Sequence, residues 1–264
     1  MEILIISRKK VWITCIIIFL IIMLCSLYWI IRIPKTFAVE LFDNSVISDD
    51  FKNKITNLTN GEEKIAYLTF DDGPNISVTP KILDILKSEE VKATFFVVGK
   101  HVEEYPQIVK RAYEEGHYIA NHGYSHNNKI LYKSEESFLE EVKKTDLVIG
   151  RAIGKEDYCS YVFRFPNGYM SSQYKAKKKN ATTLLSKINY SYIDWNCLNN
   201  DSMKKYSKEQ LLQNLKKCCQ NKNTLVILMH DTKDVSDSSL ALEDSIKYLK
   251  EQGYKFKNFY DLLD

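Results

Sequence analysis

Six residues of this chain have side chains suited to hydrolytic chemistry and stand near the ends of short apolar runs. Asp71-Asp72 closes the run 65–70, and His122 and His126 follow the run 118–121. Arg164 lies near the end of 161–165, and His230 follows 224–229. Asp72, His122 and His126 offer one hard oxygen and two imidazole nitrogens, a donor set suited to zinc, or to cobalt or another borderline divalent ion. Three protein ligands leave a position open for water, which marks a catalytic rather than a structural ion. The i, i+4 spacing of His122-Gly-Tyr-Ser-His126 brings two imidazoles onto one helical turn. A His-x-x-x-His spacing by itself is a weak signal, and Asp71-Asp72-Gly73-Pro74 by itself reads equally well as a turn. Together they point to a metal centre.

Water held at such a centre needs a group to take its proton, and Asp71 stands next to the ligand Asp72. Arg164 is suited to pairing with Asp71 and fixing its orientation. His230 arrives from another strand on Leu228-Met229-His230-Asp231 and is suited to protonating a leaving group. Taken alone, His230 would read as a satisfied histidine at a sheet edge.

These residues need a scaffold that collects strand ends on one face. Candidate strands lie at 65–70, 93–98, 118–121, 161–165, 190–195 and 224–229, as short apolar runs rich in β-branched and aromatic residues. Helical patterns lie between and after them, near 79–88, 102–115, 134–149, 171–187, 207–221 and 238–252. Ser134 and Ser207 supply N-cap signals, and Thr79-Pro80 places proline in a first turn. Alternating strand and helix implies a parallel sheet, which six or more units can close into a barrel whose C-terminal strand ends carry the site. The expected fold class is therefore α/β, a distorted (β/α) barrel preceded by one N-terminal transmembrane helix.

That membrane helix is expected from 11–31, a stretch of 21 residues without a charge. Arg8, Lys9 and Lys10 precede it, while only Arg32 and Lys35 follow, so residues 1–10 are expected to stay in the cytoplasm. The organisation that follows is a tail at 1–10, an anchor at 11–31, a polar stalk at 32–62 and a catalytic domain at 63–264 outside the cell membrane. Secretion after cleavage near Ala38 is the alternative. Five of the chain's 37 basic residues and one of its 34 acids precede residue 36, leaving 32 against 33 beyond it. The exported part carries no positive field, so a nucleic-acid partner is not expected. Lys175, Lys177, Lys178 and Lys179 read as a solvated helix face. Cys159, Cys197, Cys218 and Cys219 lie where disulfides are permitted, with three pairings open; Cys218-Cys219 falls in a helical pattern and reads as packing.

In chain order, Thr69-Phe70-Asp71-Asp72-Gly73-Pro74, His122-x-x-Ser125-His126, Arg164-Phe165-Pro166 and Leu228-Met229-His230 resemble the polysaccharide deacetylase family, also called carbohydrate esterase family 4. The resemblance covers about 63–264. It implies the distorted barrel and metal-dependent removal of N-acetyl groups from sugar polymers. It further implies Asp71 as general base, Asp72, His122 and His126 as ligands, His230 as general acid, and Arg164 as the residue that orients the base. An anchor and a short stalk would hold such a domain against the cell wall, where the acetylated polysaccharide at hand is peptidoglycan, with N-acetylglucosamine the expected target. Chitin oligomers or another surface glycan are the alternative substrates, and an inactive glycan-binding module is the alternative class. Two departures stand out. Asn167-Gly168 follows the arginine motif where many members carry Tyr or Trp, at a point whose backbone N–H holds the developing oxyanion. Either Asp194 or Asp201 can be the family's supporting aspartate, and Trp195 is either a groove wall or a core residue.

Overall fold

In a computed structural model, which describes residues 48–232 and 237–263, the chain alternates between parallel strands and helices. The expected tail and anchor, and the stalk up to residue 47, lie outside the described residues. Among the described residues no helix is long and apolar enough to cross a membrane. The described elements begin with α1 (Asp49–Thr56), a 3-10 turn (Leu58–Asn60), β1 (Ile65–Asp71), α2 (Thr79–Ser88) and β2 (Thr94–Val97). There follow α3 (Gly99–Glu104), α4 (Pro106–Glu114), β3 (Tyr118–Asn121), α5 (Asn128–Leu131), α6 (Glu135–Ile153) and β4 (Val162–Phe163). The chain ends with α7 (Lys175–Lys187), β5 (Ser191–Tyr192), β6 (Cys197–Leu198), α8 (Lys208–Cys218), β7 (Thr224–His230), α9 (Ser239–Glu251), β8 (Lys255–Phe256) and a 3-10 turn (Phe259–Leu262).

The sheet runs β5-β4-β3-β2-β1-β7-β6, with β8 beside the start of β1. Every pairing is parallel. Its two edge strands, β5 and β6, are consecutive in the chain, and only residues 193–196 join them. So short a link forces the sheet to curl until its edges come near one another, although they do not pair. The result is a curled, incompletely closed barrel, the distorted form expected.

Strand β1 shows how the curl divides the core. Ala66, Leu68 and Phe70 face outward into the layer shared with Ile82, Leu86, Leu242 and Ile246 of α2 and α9. Tyr67 faces inward with Phe96, Tyr118, Val162 and Val226. The alternation is the period of two that a strand imposes. The inner floor is filled by Phe51 and Ile55 of α1, Leu58 and Phe259. This corrects the stalk reading. Residues 48–62 had no sustained periodicity to mark them, yet Ser48 caps α1, and Phe51 and Ile55 are each 1% exposed. Each such side chain contributes about 1.5–3 kcal/mol of burial.

The expected helix 102–115 is two helices, because Pro106 cannot continue α3 and opens α4. The lysine run also divides. Lys175, Lys177 and Lys179 are exposed, but Lys178 is fully buried and donates to the Gly168 carbonyl and the Ser171 hydroxyl. Strands β6 and β8 were not expected; two residues are too short for a pattern.

Candidate active site

Register delivers the polar residues to one edge. Asp71 pairs with His230 across β1 and β7, so two strand ends place their last residues side by side. On the other flank Asn121 pairs with Phe163, and the Arg164 N–H donates to the Asn121 carbonyl at 3.0 Å. That bond sets Arg164 beside His122.

Arg164 closes the top of the barrel interior. It is fully buried, and its guanidinium donates to Thr69 Oγ1 at 2.7 Å, Asp71 Oδ1 at 2.8 Å, and the carbonyls of Ile193 and Asp194 at 3.1 Å each. Phe96 packs its ring against the guanidinium carbon at 3.9 Å. A buried cation is tolerable only when its donors are engaged, and four acceptors engage these. Asp71 is thereby held by Oδ1, with Oδ2 turned to 3.8 Å from His122 Nε2.

Asp72 has a positive φ of 76°. His101 Nδ1 meets its carbonyl at 2.7 Å. Gly73 must follow, because a Cβ there would lie 1.9 Å from a carboxylate oxygen of buried Asp231. The Asp72 carboxylate points at both imidazoles: Oδ1 lies 3.2 Å from His122 Nε2 and 3.0 Å from His126 Nε2. His122 Nδ1 meets the Arg164 carbonyl at 2.8 Å, so it carries the proton and Nε2 keeps a lone pair aimed at Asp72. Asp72 Oδ1 is buried without a hydrogen-bond donor. Three ligand atoms lie within 4.8 Å of one another, and nothing in the protein relieves their converging lone pairs. A divalent cation fits that arrangement, and a borderline ion suits its one oxygen and two nitrogens. Burial pushes the Asp72 carboxyl up, but when His122 and His126 are protonated their N–H groups and charge prevail and hold it well below the usual carboxylate range. Burial lowers His126, and Asp72 more than restores it, leaving the imidazole pKa raised. Protons and a cation therefore compete for this site.

The two histidines lie not on a helical turn but on a loop, where Gly123 (φ 82°) and His126 (φ 50°) take positive φ, and this loop is anchored by Glu141 of α6. Its Oε2 accepts the Tyr124 N–H at 3.0 Å, the Ser125 N–H at 2.8 Å and the Ser125 hydroxyl at 2.9 Å.

Beside Asp71, at the end of β7, His230 is held by Asp201, which resolves the choice between two aspartates. Asp201 Oδ1 meets His230 Nδ1 at 2.7 Å, and Oδ2 accepts the His230 N–H at 2.7 Å. Burial lowers the His230 pKa, but the Asp201 hydrogen bond, with the charges of Asp201, Asp71 and Asp72, lifts it to about 9. The imidazole is thus a cation at neutral pH, with Nε2–H as its remaining donor. Asp194 has another task. Its carboxylate accepts the N–H groups of Tyr169 at 2.8 Å and Met170 at 3.0 Å, bracing the loop after Pro166. Gly168 in that loop donates to the Phe165 carbonyl, and a Cβ on it would lie 2.8 Å from the Trp195 ring. Trp195 is therefore half-buried support beneath the loop. The Asn167 side chain is exposed and accepts from Asn128 at 3.0 Å.

All six sequence-derived residues converge. Asp201 was one of two options. Glu141, Lys178 and His101 carried no separate signal, because a glutamate, a lysine and a histidine within or next to helical patterns look like surface residues.

Comparison with known proteins places this geometry. The family model for polysaccharide deacetylase matches residues 59–185. The peptidoglycan-N-acetylmuramic acid deacetylase of Bacillus subtilis is 34% identical over 206 residues, covering 78% of this chain and 74% of its own. A peptidoglycan-N-acetylglucosamine deacetylase of Bacillus cereus is 35% identical over 208 residues, covering 76% of this chain and 72% of its own. The crystal structure of the catalytic domain of peptidoglycan N-acetylglucosamine deacetylase from Eubacterium rectale superposes with a TM-score of 0.68 at 32% identity. It covers 75% of this chain and 90% of that one.

Proposed function

The chain belongs to the polysaccharide deacetylase family, and from that membership we propose that it is a metal-dependent hydrolase removing N-acetyl groups from peptidoglycan. One observation carries the proposal. Asp71 and His230 flank the Asp72–His122–His126 cluster, one fixed by a guanidinium and the other by a carboxylate. That is the pair of groups an amide hydrolysis needs, next to the atoms that would hold an ion.

When bound by Asp72, His122 and His126, a divalent ion, zinc first among the fits, would polarise an acetamide carbonyl and acidify a water. Asp71 Oδ2 takes the proton from the attacking water, while Arg164 keeps Oδ1 out of play. As in the family, the backbone N–H at Asn167 would hold the developing oxyanion, and a backbone donor survives the exchange of Tyr or Trp for Asn. His230 Nε2 gives its proton to the departing sugar amine, and Asp201 stabilises the imidazolium beforehand. Acetate and a glucosamine-type residue result.

Residues 11–31 would anchor the chain in the cell membrane as a single span, with the domain outside and within reach of the wall. Release after cleavage near Ala38 would leave the chemistry unchanged. The relatives include enzymes named for N-acetylmuramic acid and for N-acetylglucosamine. We assign N-acetylglucosamine, with chitin oligomers or another surface glycan next. An inactive glycan-binding module has no use for an intact set of Asp71, Asp72, His122, His126 and His230. The test is acetate release from peptidoglycan by the purified protein, before chelation, after it, and after zinc is returned. Release that stops on chelation and returns with zinc is expected. A folded, zinc-loaded protein that releases none would refute the wall substrate.

A further inference from the structure

Away from this site, one group of nucleophilic side chains converges. Cys197 opens β6, Cys218 ends α8 and Cys219 follows it. Cys197 and Cys219 are buried, and Cys218 is partly exposed. The sulfurs of Cys197 and Cys219 lie 3.8 Å apart, and Cys218 Sγ accepts the N–H of Leu198, the residue next to Cys197, at 3.2 Å. One buried thiol thus stands between two thiols at a helix end. Cys159 sits elsewhere, beside Asp146 and Tyr190.

We propose that Cys197 and Cys218 form a thiol–disulfide site that bolts β6 to the end of α8, with Cys219 as the substitute partner. Its reactant is a molecule carrying a disulfide. Cys218, the exposed member, attacks one sulfur of the incoming disulfide; a Cys218–sulfur bond forms as that disulfide breaks and its first thiolate departs. Cys197 then loses its proton and attacks the Cys218 sulfur, forming the internal bond and releasing the second thiolate. Two electrons pass from the cysteines to the incoming molecule, which leaves as two thiols once the released protons are taken up.

The surroundings fit these roles. Cys218 Sγ accepts the Leu198 N–H at 3.2 Å and lies 3.8 Å from Lys222 Nζ. The neighbouring Cys197 thiol does most to hold the Cys218 thiol below its usual range; burial opposes it, and the Leu198 N–H and the Lys222 charge assist. A partly exposed thiol with such neighbours is the reactive kind. Strand β6 leads directly to Asn199 and Asp201. Asn214 of α8 donates to the Asn199 carbonyl at 3.0 Å, and Asn199 Oδ1 accepts the Asp201 N–H at 3.1 Å. A bond between Cys197 and Cys218 therefore closes the segment that holds His230. An oxidising exterior would favour it, and to that extent the inference uses the proposed location; it does not depend on the sugar attacked.

The test treats the natively folded full-length chain with oxidised glutathione, then maps peptides without reduction and records thermal unfolding. The expected result is a peptide holding Cys197 linked to the one holding Cys218, with the unfolding midpoint raised by about 5 °C or more. Cys219→Ser should leave the link in place, and Cys218→Ser should move it to Cys219 with slower formation. Cys197→Ser should abolish both link and gain. Should that variant fail to fold, the double variant Cys218→Ser with Cys219→Ser, confined to a helix end, must abolish them too. Thiols that remain free, or that carry only glutathione, would overturn the proposal, as would a link through Cys159. None of these readouts involves acetate release, so failure here is separable from failure of the deacetylase assignment.

Discussion

Replacing Asp201 by Asn tests the assignment of His230 most directly. Asp201 does most to raise the imidazole against burial, to about 9 from an ordinary 6.5. Returning the group to its ordinary value would leave about 3% of it protonated at pH 8, against about 90% in the parent. Turnover at pH 8 should therefore fall about 30-fold or more, while the alkaline limb of kcat/KM moves about 2.5 pH units toward acid. A bound cation lowers both proteins alike, so the comparison of limbs survives. Asn also sets an amide donor against the His230 N–H, an added stability cost of about 1–3 kcal/mol. A second readout follows in the cation-free protein. The folded pKa lies above the unfolded one, so the stabilisation is complete below about 6.5 and is lost as pH rises through about 9. Its full size is about 3 kcal/mol. The gap in unfolding free energy between parent and variant should thus narrow by about 3 kcal/mol between pH 6 and pH 9.5, leaving the cost of the misplaced amide donor. The assay is acetate release across that pH range, with denaturant unfolding in parallel. A variant that loses rate but keeps the parent's alkaline limb would show that Asp201 only supports the fold and that His230 is not the acid.

Three further outcomes are expected. His126→Ala should leave the fold intact and remove most bound zinc, measured by elemental analysis after dialysis, with acetate release falling by orders of magnitude; full zinc occupancy would contradict the ligand set. Glu141→Ala frees the loop of Tyr124 and Ser125 and should weaken zinc binding by about 10–100-fold in a chelator competition, with Glu141→Gln recovering part of it. Unchanged affinity in both would remove Glu141 from the account. Phe51→Ala should cost about 3–5 kcal/mol in urea unfolding if α1 belongs to the folded domain, whereas a spacer residue would cost almost nothing.

What the sequence could disclose depended on whether a residue's role was written locally. Strand ends carrying Asp71, His122 and His230 were legible because a parallel sheet puts all such ends on one face, whatever its register. The reach of Arg164 to Asp71 was legible as chemistry, a buried cation beside a carboxylate, without any coordinate. Phe51 and Ile55 were not legible, because one short helix filling a barrel floor needs only two apolar residues, and two make no period. Lys178 was hidden for the opposite reason: a lysine in a run of lysines carries no sign that it turns inward to hold the Gly168 loop. Asp194 and Asp201 show where local reading stops altogether. Both follow the fifth strand, both are acids beside Asn or Trp, and both serve the site. One braces the loop after Pro166 through two backbone N–H groups; the other grips His230 through ring and backbone. Only the path of the chain tells them apart. After 193–196 crosses between the sheet edges, β6 pairs with β7, and that pairing brings Asp201 to the end of the strand that carries His230. The position of the proposed general acid is therefore set by a two-residue strand that no pattern could announce, and the three cysteines at its root stand where that strand can be fastened.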